Sequence, residues 1–136
     1  MQWLIFSACL FLCSVCSADV VIDLHALSAV ESGHDDSAYS SAGALGRYQI
    51  KPICLRDYNR YSGRPRMEFS DMRDPKAASL VASWYLHKRI PQILRSYGVA
   101  VTVEGVLLSY RNGPVAYARG DRRGKRYVSR YLSFLK

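Results

Sequence analysis

No stretch of the sequence alternates convincingly between apolar and polar residues, and there are no internal repeats, linkers or low-complexity tracts. The missing alternation argues against a sheet-dominated protein, because a half-buried strand turns every second side chain toward the core. With 136 residues, 49% of them hydrophobic, the chain is long enough for one domain with a proper core and too short for two. We therefore expect a single, mainly α-helical domain.

The chain also lacks an apolar run long enough to span a bilayer comfortably, since the longest covers only residues 3–16. The small residues Ser17 and Ala18 follow it, which resembles a secretory signal peptide, although no Lys or Arg precedes the run. We expect residues 1–18 to be a signal peptide and residues 19–136 to form a mature, monomeric domain without a transmembrane helix. Such a chain would be exported to the periplasm or cell envelope, or secreted. A buried or peripheral N-terminal helix is the alternative, and Cys16 could instead be lipidated.

Cysteine and histidine are scarce. Cleavage after Ala18 would leave Cys54 alone, which excludes an internal disulfide, and its apolar surroundings predict a core thiol rather than a nucleophile. The three histidines have no partner at metal-ligand spacing. We expect neither a metal nor a cofactor.

Basic side chains are absent before Arg47, and all 19 Lys and Arg lie at or after it, whereas five of the 11 acidic residues precede it. The net charge of +8 is therefore concentrated in the carboxyl-terminal part, which would attract polyanions: nucleic acid, anionic lipid or an acidic wall polymer. Tyrosines interleave with the arginines there, as in some single-strand binders. The helical periodicity and the signal peptide argue against that class, and we expect no specific nucleic-acid partner.

Apolar residues recur at helical spacing in several segments. The first is residues 20–32, with Asp19 as N-cap and Gly33 in the left-handed conformation that often ends a helix. Further helices are expected over residues 52–58, from Asp74-Pro75 onward with a kink or restart at Pro91, over 103–110 with Thr102 as N-cap, and over 125–135.

Glu31 is the residue that this periodicity singles out. Leu27 and Leu24 lie four and seven positions before it, so its carboxyl group is predicted on the apolar face of its helix. Burial there would raise its pKa, and a carboxyl group that keeps its proton near neutrality can protonate a glycosidic oxygen. The loop of residues 34–46 would border the cleft. The alternative is a surface glutamate at a frayed helix end.

Several motifs surround Glu31 in a fixed order. Glu31-Ser32 is followed by Ser40, by Gly43-Ala44-Leu45-Gly46 and by Gln49-Ile50 with Pro52. Later segments continue the pattern: Asp74-Pro75, Tyr85-Leu86, Ser109-Tyr110-Arg111-Asn112-Gly113-Pro114 and Arg126-Tyr127-Val128. Together they resemble the soluble-lytic-transglycosylase (SLT) type of lysozyme-like domain, glycoside hydrolase family 23, which includes goose-type lysozyme.

The resemblance implies a peptidoglycan lytic transglycosylase that acts on glycan strands. Glu31 would protonate the oxygen between N-acetylmuramic acid and N-acetylglucosamine and then act as base. The substrate's own N-acetyl oxygen would stabilise the cation, and its 6-hydroxyl would attack to give a 1,6-anhydro product. If water were the acceptor, as in a goose-type lysozyme, Asp35 and Asp36 would be the nearest second carboxylates.

The resemblance also suggests which residues bind substrate: Ser32, Ser40, Tyr48, Gln49, Tyr110 and Asn112. We expect Tyr110 to lie beside Glu31 and donate a hydrogen bond that orients the carboxyl group, unless it is simply a core tyrosine. The amide of Gln49 suits a sugar N-acetyl group or, equally, a link between loop and helix. Ser32 could contact substrate or cap the helix end.

The chain departs from the family pattern at two places. It has Arg47-Tyr48 where Leu-Met is usual before the glutamine, and Arg111 where Asn is usual after the tyrosine. These side chains are expected to alter the sugar subsites. If they narrow the groove, the protein would be a non-catalytic peptidoglycan-binding or assembly protein on the same fold.

Overall fold

The structure, a computed structural model, describes residues 19–136, so the expected signal peptide with Cys16 lies outside the described residues. The expectation of a mainly α-helical domain is confirmed. The α-helices are α1 (Leu24–Ser32), α2 (Pro52–Tyr61), α3 (Pro75–Trp84), α4 (Ile90–Ser96), α5 (Val103–Asn112), α6 (Pro114–Ala118) and α7 (Lys125–Ser133). A 3₁₀ helix, Phe69–Arg73, precedes α3. None of the helices within residues 19–136 is both long and apolar enough to cross a membrane.

Helix α1 begins later than the sequence predicted. Its N-cap is Asp23, whose Oδ1 accepts a hydrogen bond of 2.7 Å from the backbone N–H of Ala26. The expected cap at Asp19 is wrong because long-range contacts keep the preceding segment extended. The Ile22 N–H donates to Nε2 of His87, and the Asp23 N–H donates to the hydroxyl oxygen of Tyr131.

The end of α1 was predicted correctly, since Gly33 is left-handed (φ 66°) and its N–H donates to Ala29. Thr102 also caps α5 through its side chain, as expected, and α3 begins after Asp74 as predicted, with the Asp74 side chain as its cap. Two helix ends differ from the prediction: α2 ends at Tyr61 instead of Tyr58, and α7 ends at Ser133 instead of Leu135.

Helices α3 and α4 form one nearly continuous rod across Pro91. A π-helical turn, Tyr85–Arg89, joins them, and Pro91 lies in the first turn of α4. A proline inside a helix lacks one N–H and crowds the preceding turn, and a π turn changes the local hydrogen-bond pattern. The backbone stays helical through Arg89 and Ile90, so the change in hydrogen-bond pattern lies in the π turn before Pro91.

The core lies between α1, α3, α5 and α7. Leu27 of α1, Val81 of α3, Leu107 of α5 and Tyr131 of α7 are all fully buried. Cys54 is buried as well, and desolvation raises the pKa of its thiol to about 11, consistent with a core role.

An irregular loop, residues 33–51, connects α1 to α2. Isolated antiparallel bridges pair Tyr39 with Leu45 and Leu45 with Ile50, and no longer strand is present in residues 19–136. The tightest point is Gly46 (φ 77°), where an added Cβ would lie 2.1 Å from the backbone oxygen of Met72. Only glycine fits there, and the contact fixes the loop against the 3₁₀ helix.

Candidate active site around Glu31

Glu31 lies in the last turn of α1 and faces a pocket of about 250 Å³. The pocket is bounded by the 33–51 loop on one side and by the end of α5 on the other. Its lining comprises Glu31, Ser40, Ala44, Gln49, Lys51, Tyr110, Arg111 and Asn112. Four of the six predicted substrate-binding residues therefore line the same pocket as the predicted acid.

The hydroxyl group of Tyr127 in α7 donates a hydrogen bond of 2.5 Å to Oε1 of Glu31. The sequence-based expectation that Tyr110 makes this contact is wrong. Tyr110 is buried and donates instead to the backbone oxygen of Tyr48, at 2.6 Å. Helix α7 packs against α1, so a residue 96 positions away holds the carboxyl group in place.

Burial raises the pKa of Glu31 above its usual value, because the charged form loses hydration. The hydrogen bond from Tyr127 lowers that pKa, as do the positive charges of Arg111, Lys51 and Arg130, but burial has the larger effect. The result is a carboxyl group that holds a proton more firmly than an exposed glutamate and has nearby cations to stabilise it once the proton has left.

A family model described as the transglycosylase SLT domain matches residues 22–131. The chain belongs to this family. Domains of this type act on peptidoglycan outside the cytoplasm, in agreement with a lytic-transglycosylase-like role in general. No match was found among curated proteins or among solved structures.

Three polar residues lining the pocket of this SLT domain are held by backbone contacts. Gln49, with φ of 50°, donates from Nε2 to the carbonyl of Gly46 at 3.0 Å. Ser40 accepts from the Ala44 N–H at 3.1 Å. Asn112 donates from Nδ2 to the carbonyl of Arg123 at 2.7 Å. Each side chain is thus oriented before any ligand arrives.

Two predicted substrate-binding residues do not line this pocket. The hydroxyl of Ser32 donates to the carbonyl of Arg47 at 2.8 Å and accepts from the Asp35 N–H, so it links the end of α1 to the loop. Tyr48 is buried, and its carbonyl receives the Tyr110 hydrogen bond. Both residues therefore stabilise the 33–51 loop and do not face the pocket.

The candidate second carboxylates also lie outside the pocket lining. Asp36 forms a two-point ion pair with Arg47, at 2.5 and 2.9 Å, which lowers the pKa of Asp36. Asp35 accepts from the hydroxyl and backbone N–H of Ser37, and these bonds lower its pKa too. Arg47 is paired with Asp36 and does not line the pocket. Among the residues that differ from the family pattern, Arg111 is therefore the one that faces the pocket.

Sequence reasoning missed Tyr127, Lys51 and Arg130 as neighbours of Glu31. The match of Tyr127-Val128 to the closing helix of the family was a signal for Tyr127, but nothing in the sequence pairs it with Glu31. Within residues 19–136, no three His, Cys, Asp or Glu side chains come together in a way that could hold a metal ion.

Proposed function

We propose that this SLT domain is a peptidoglycan lytic transglycosylase with Glu31 as its general acid and base. It would cleave the bond between N-acetylmuramic acid and N-acetylglucosamine and form a 1,6-anhydromuramoyl product. Residues 1–18 would direct its export to the wall. The observation that carries this proposal is the partly buried Glu31 in a polar pocket, with a raised pKa and a single hydrogen-bond donor on its carboxyl group.

The site suits a one-carboxylate mechanism. Within the described part of the chain, Glu31 is the only acidic residue that lines the pocket. Hydrolysis with inversion needs a second carboxylate to activate water, and hydrolysis through a covalent glycosyl-enzyme needs one as nucleophile. The engagement of Asp35 and Asp36 elsewhere supports an acceptor supplied by the substrate.

The proposed steps follow from that arrangement. Glu31 gives its proton to the bridging oxygen as the bond from that oxygen to the anomeric carbon breaks. The N-acetyl oxygen of the muramic acid bonds to the anomeric carbon and forms an oxazolinium ion, which holds the positive charge. Glu31, now a carboxylate, takes the proton of the 6-hydroxyl, whose oxygen displaces the N-acetyl oxygen and closes the anhydro ring.

The mass of the soluble products tests the proposal. Purified mature protein incubated with peptidoglycan is expected to release disaccharide-peptides one water lighter than those made by a hydrolytic muramidase on the same material. Products with reducing ends would mean hydrolysis and would contradict the 1,6-anhydro route. Failure to release fragments from several wall types would favour a binding protein on this fold.

Tyr127 is proposed as a positioning residue. Replacing it with Phe removes a hydrogen bond that lowers the pKa of Glu31, so that pKa should rise further. Because the first step needs protonated Glu31, the alkaline limb of the pH–rate profile should move to higher pH. We also expect kcat to fall about tenfold, since the carboxyl group loses the contact that orients it. The rate of release of soluble muropeptides across pH measures both.

Tyr131→Phe is the matched control. Its hydroxyl is on the same helix but accepts from the Asp23 N–H, away from Glu31. It should lower stability without moving the pH profile. An unshifted alkaline limb in Tyr127→Phe would show that this hydrogen bond does not tune Glu31.

A non-catalytic wall-binding role remains the second candidate because Arg111 faces the pocket where an amide side chain is usual in the family. Arg47 and Tyr48 give this alternative no support, since neither lines the pocket. Glu31→Gln separates the two candidates, because an enzyme would lose turnover whereas a binding protein would change little.

A further inference from the structure

A second groove, of about 660 Å³, opens beside the Glu31 pocket and is lined mostly by cations. It is formed by the end of α5, the loop of residues 119–124 and the first turns of α7. Its basic residues are Arg111, Arg122, Arg123, Lys125, Arg126 and Arg130. We call it the basic groove.

Few of these charges are neutralised by the protein. Of the six cations, only Arg123 forms an ion pair within residues 19–136, with Asp121 at 2.6 Å, and this contact lowers the pKa of Asp121 to about 2. Arg122 stacks on the ring of Tyr117 and bonds to its carbonyl. Lys125 and Arg126, in the first turn of α7, are exposed and make no side-chain ion pair in the described structure. Six cations that line one groove repel one another, so the groove favours an anionic ligand.

The basic groove is joined to the Glu31 pocket. Arg111 lines both, and its guanidinium lies 5.4 Å from the centre of the Tyr127 ring. Gly124 (φ 116°) leaves room for Arg111, because an added Cβ would come within 3.1 Å of that side chain. The hydrogen bond from Asn112 to the carbonyl of Arg123 ties the 119–124 loop to the end of α5. A ligand whose sugar lies at Glu31 would therefore extend its next groups along the basic groove.

We propose that the basic groove binds the carboxylates of the peptide stem carried by the muramic acid at the cleavage site. The proposal rests on the proposed function and narrows its substrate to glycan strands that still bear stems. N-acetylglucosamine is neutral, and the lactyl carboxyl group of N-acetylmuramic acid is amide-linked to the stem, so the carboxylates of a stem-bearing strand lie on the stem itself. An amidase that removes the stem leaves only the single lactyl carboxylate. The stem is attached to the same sugar whose glycosidic bond is cleaved, and the basic groove adjoins the Glu31 pocket through Arg111, which lines both.

Lys125→Gln/Arg126→Gln is the test variant. It removes two cations from the groove while keeping Arg111, Lys51 and Arg130, the three cations that act on the pKa of Glu31. Arg73→Gln/Arg95→Gln is the control with the same charge change, because both side chains are exposed and neither lines the basic groove.

Binding is measured in the Glu31→Gln background, so that it does not depend on turnover. The probes are purified glycan strands with tetrapeptide stems and the same strands after an amidase has removed the stems. We expect stem-bearing strands to bind more tightly, and Lys125→Gln/Arg126→Gln to reduce that preference about three- to tenfold, the size expected for two exposed cation–carboxylate contacts. The preference should also weaken with added salt, and the control should retain it.

Equal binding of both kinds of strand, or a preference that survives in Lys125→Gln/Arg126→Gln, would overturn the proposal. So would a preference that is lost to the same degree in the control. A polyol-phosphate wall polymer is added as a third probe. If its binding alone depends on Lys125 and Arg126, the groove serves phosphate and the stem assignment is wrong. Absence of turnover in the wild type, with stem-dependent binding intact, would instead count against the proposed function.

Discussion

Glu31→Gln is expected to lower kcat for release of soluble muropeptides on the order of 10³-fold, within the range that a general acid and base supplies. Glutamine has nearly the same shape and can still accept the Tyr127 hydrogen bond, but it cannot donate and take back a proton. Binding to peptidoglycan should change little. Loss of kcat with retained binding would therefore identify an interaction needed for chemistry rather than for substrate affinity.

The same substitution should stabilise the fold at neutral pH. The folded-state pKa of Glu31 is raised, so the native protein binds the proton more tightly than the unfolded chain does. The free energy of unfolding therefore falls as the pH rises from the ordinary glutamate pKa through the raised one. Above the raised pKa, the destabilisation by the ionised Glu31 is fully present. Glutamine has no such cost. In thermal unfolding, Glu31→Gln should have a higher Tm than the wild type at pH 7, and the difference in Tm should shrink toward pH 4.

Glu104→Gln provides the matched control, because Glu104 is an exposed residue in the first turn of α5. It should keep wild-type turnover. If Glu31→Gln also kept it, Glu31 would not be the acid. If the wild type bound peptidoglycan but showed no turnover, the binding-protein alternative would be supported.

Gly46→Ala is expected to destabilise the fold by roughly 3 kcal/mol or more, or to prevent folding. Two effects combine at this position. A left-handed conformation costs a residue with a Cβ about 1–2 kcal/mol. In addition, the new Cβ would lie 2.1 Å from the carbonyl oxygen of Met72, which is backbone and cannot swing away. Denaturant unfolding measures the loss, and the 33–51 loop should separate from the 3₁₀ helix.

Gly43→Ala separates the two effects. Gly43 has nearly the same φ, 78°, but an added Cβ there meets only the Tyr39 hydroxyl, at 3.9 Å. It should lose only the conformational part, about 1–2 kcal/mol. Similar losses in the two variants would mean that the loop relaxes away from Met72, and the close contact would then not be what positions the pocket wall.

The local features of this fold could be predicted from the sequence. Caps at Asp74 and Thr102 and the left-handed end at Gly33 are decided by side chains and dihedral angles within a few residues. The position of Glu31 on the apolar face of α1 follows from periodicity in the same way. The first cap was missed because Asp19 and Asp23 are equally plausible locally, and the choice depends on His87 and Tyr131.

The partners of Glu31 could not be predicted in this way. The SLT resemblance made Tyr110 the expected donor. Helix α5 does bring Tyr110 to the pocket, but its hydroxyl bonds to the backbone of Tyr48, and α7 supplies Tyr127 instead. Both tyrosines are buried side chains of helices, so composition cannot distinguish them.

The sequence by itself determined a helical domain of the SLT family with one carboxyl group on an apolar helix face and a strongly cationic carboxyl-terminal part. Only the tertiary structure decided that Tyr127 holds this carboxyl group, that Arg47 is bound to Asp36, and that the cations form a groove beside the pocket. The physical reason is range. Helix periodicity and capping act over a few residues, whereas a hydrogen bond between residues 96 positions apart depends on how the helices pack.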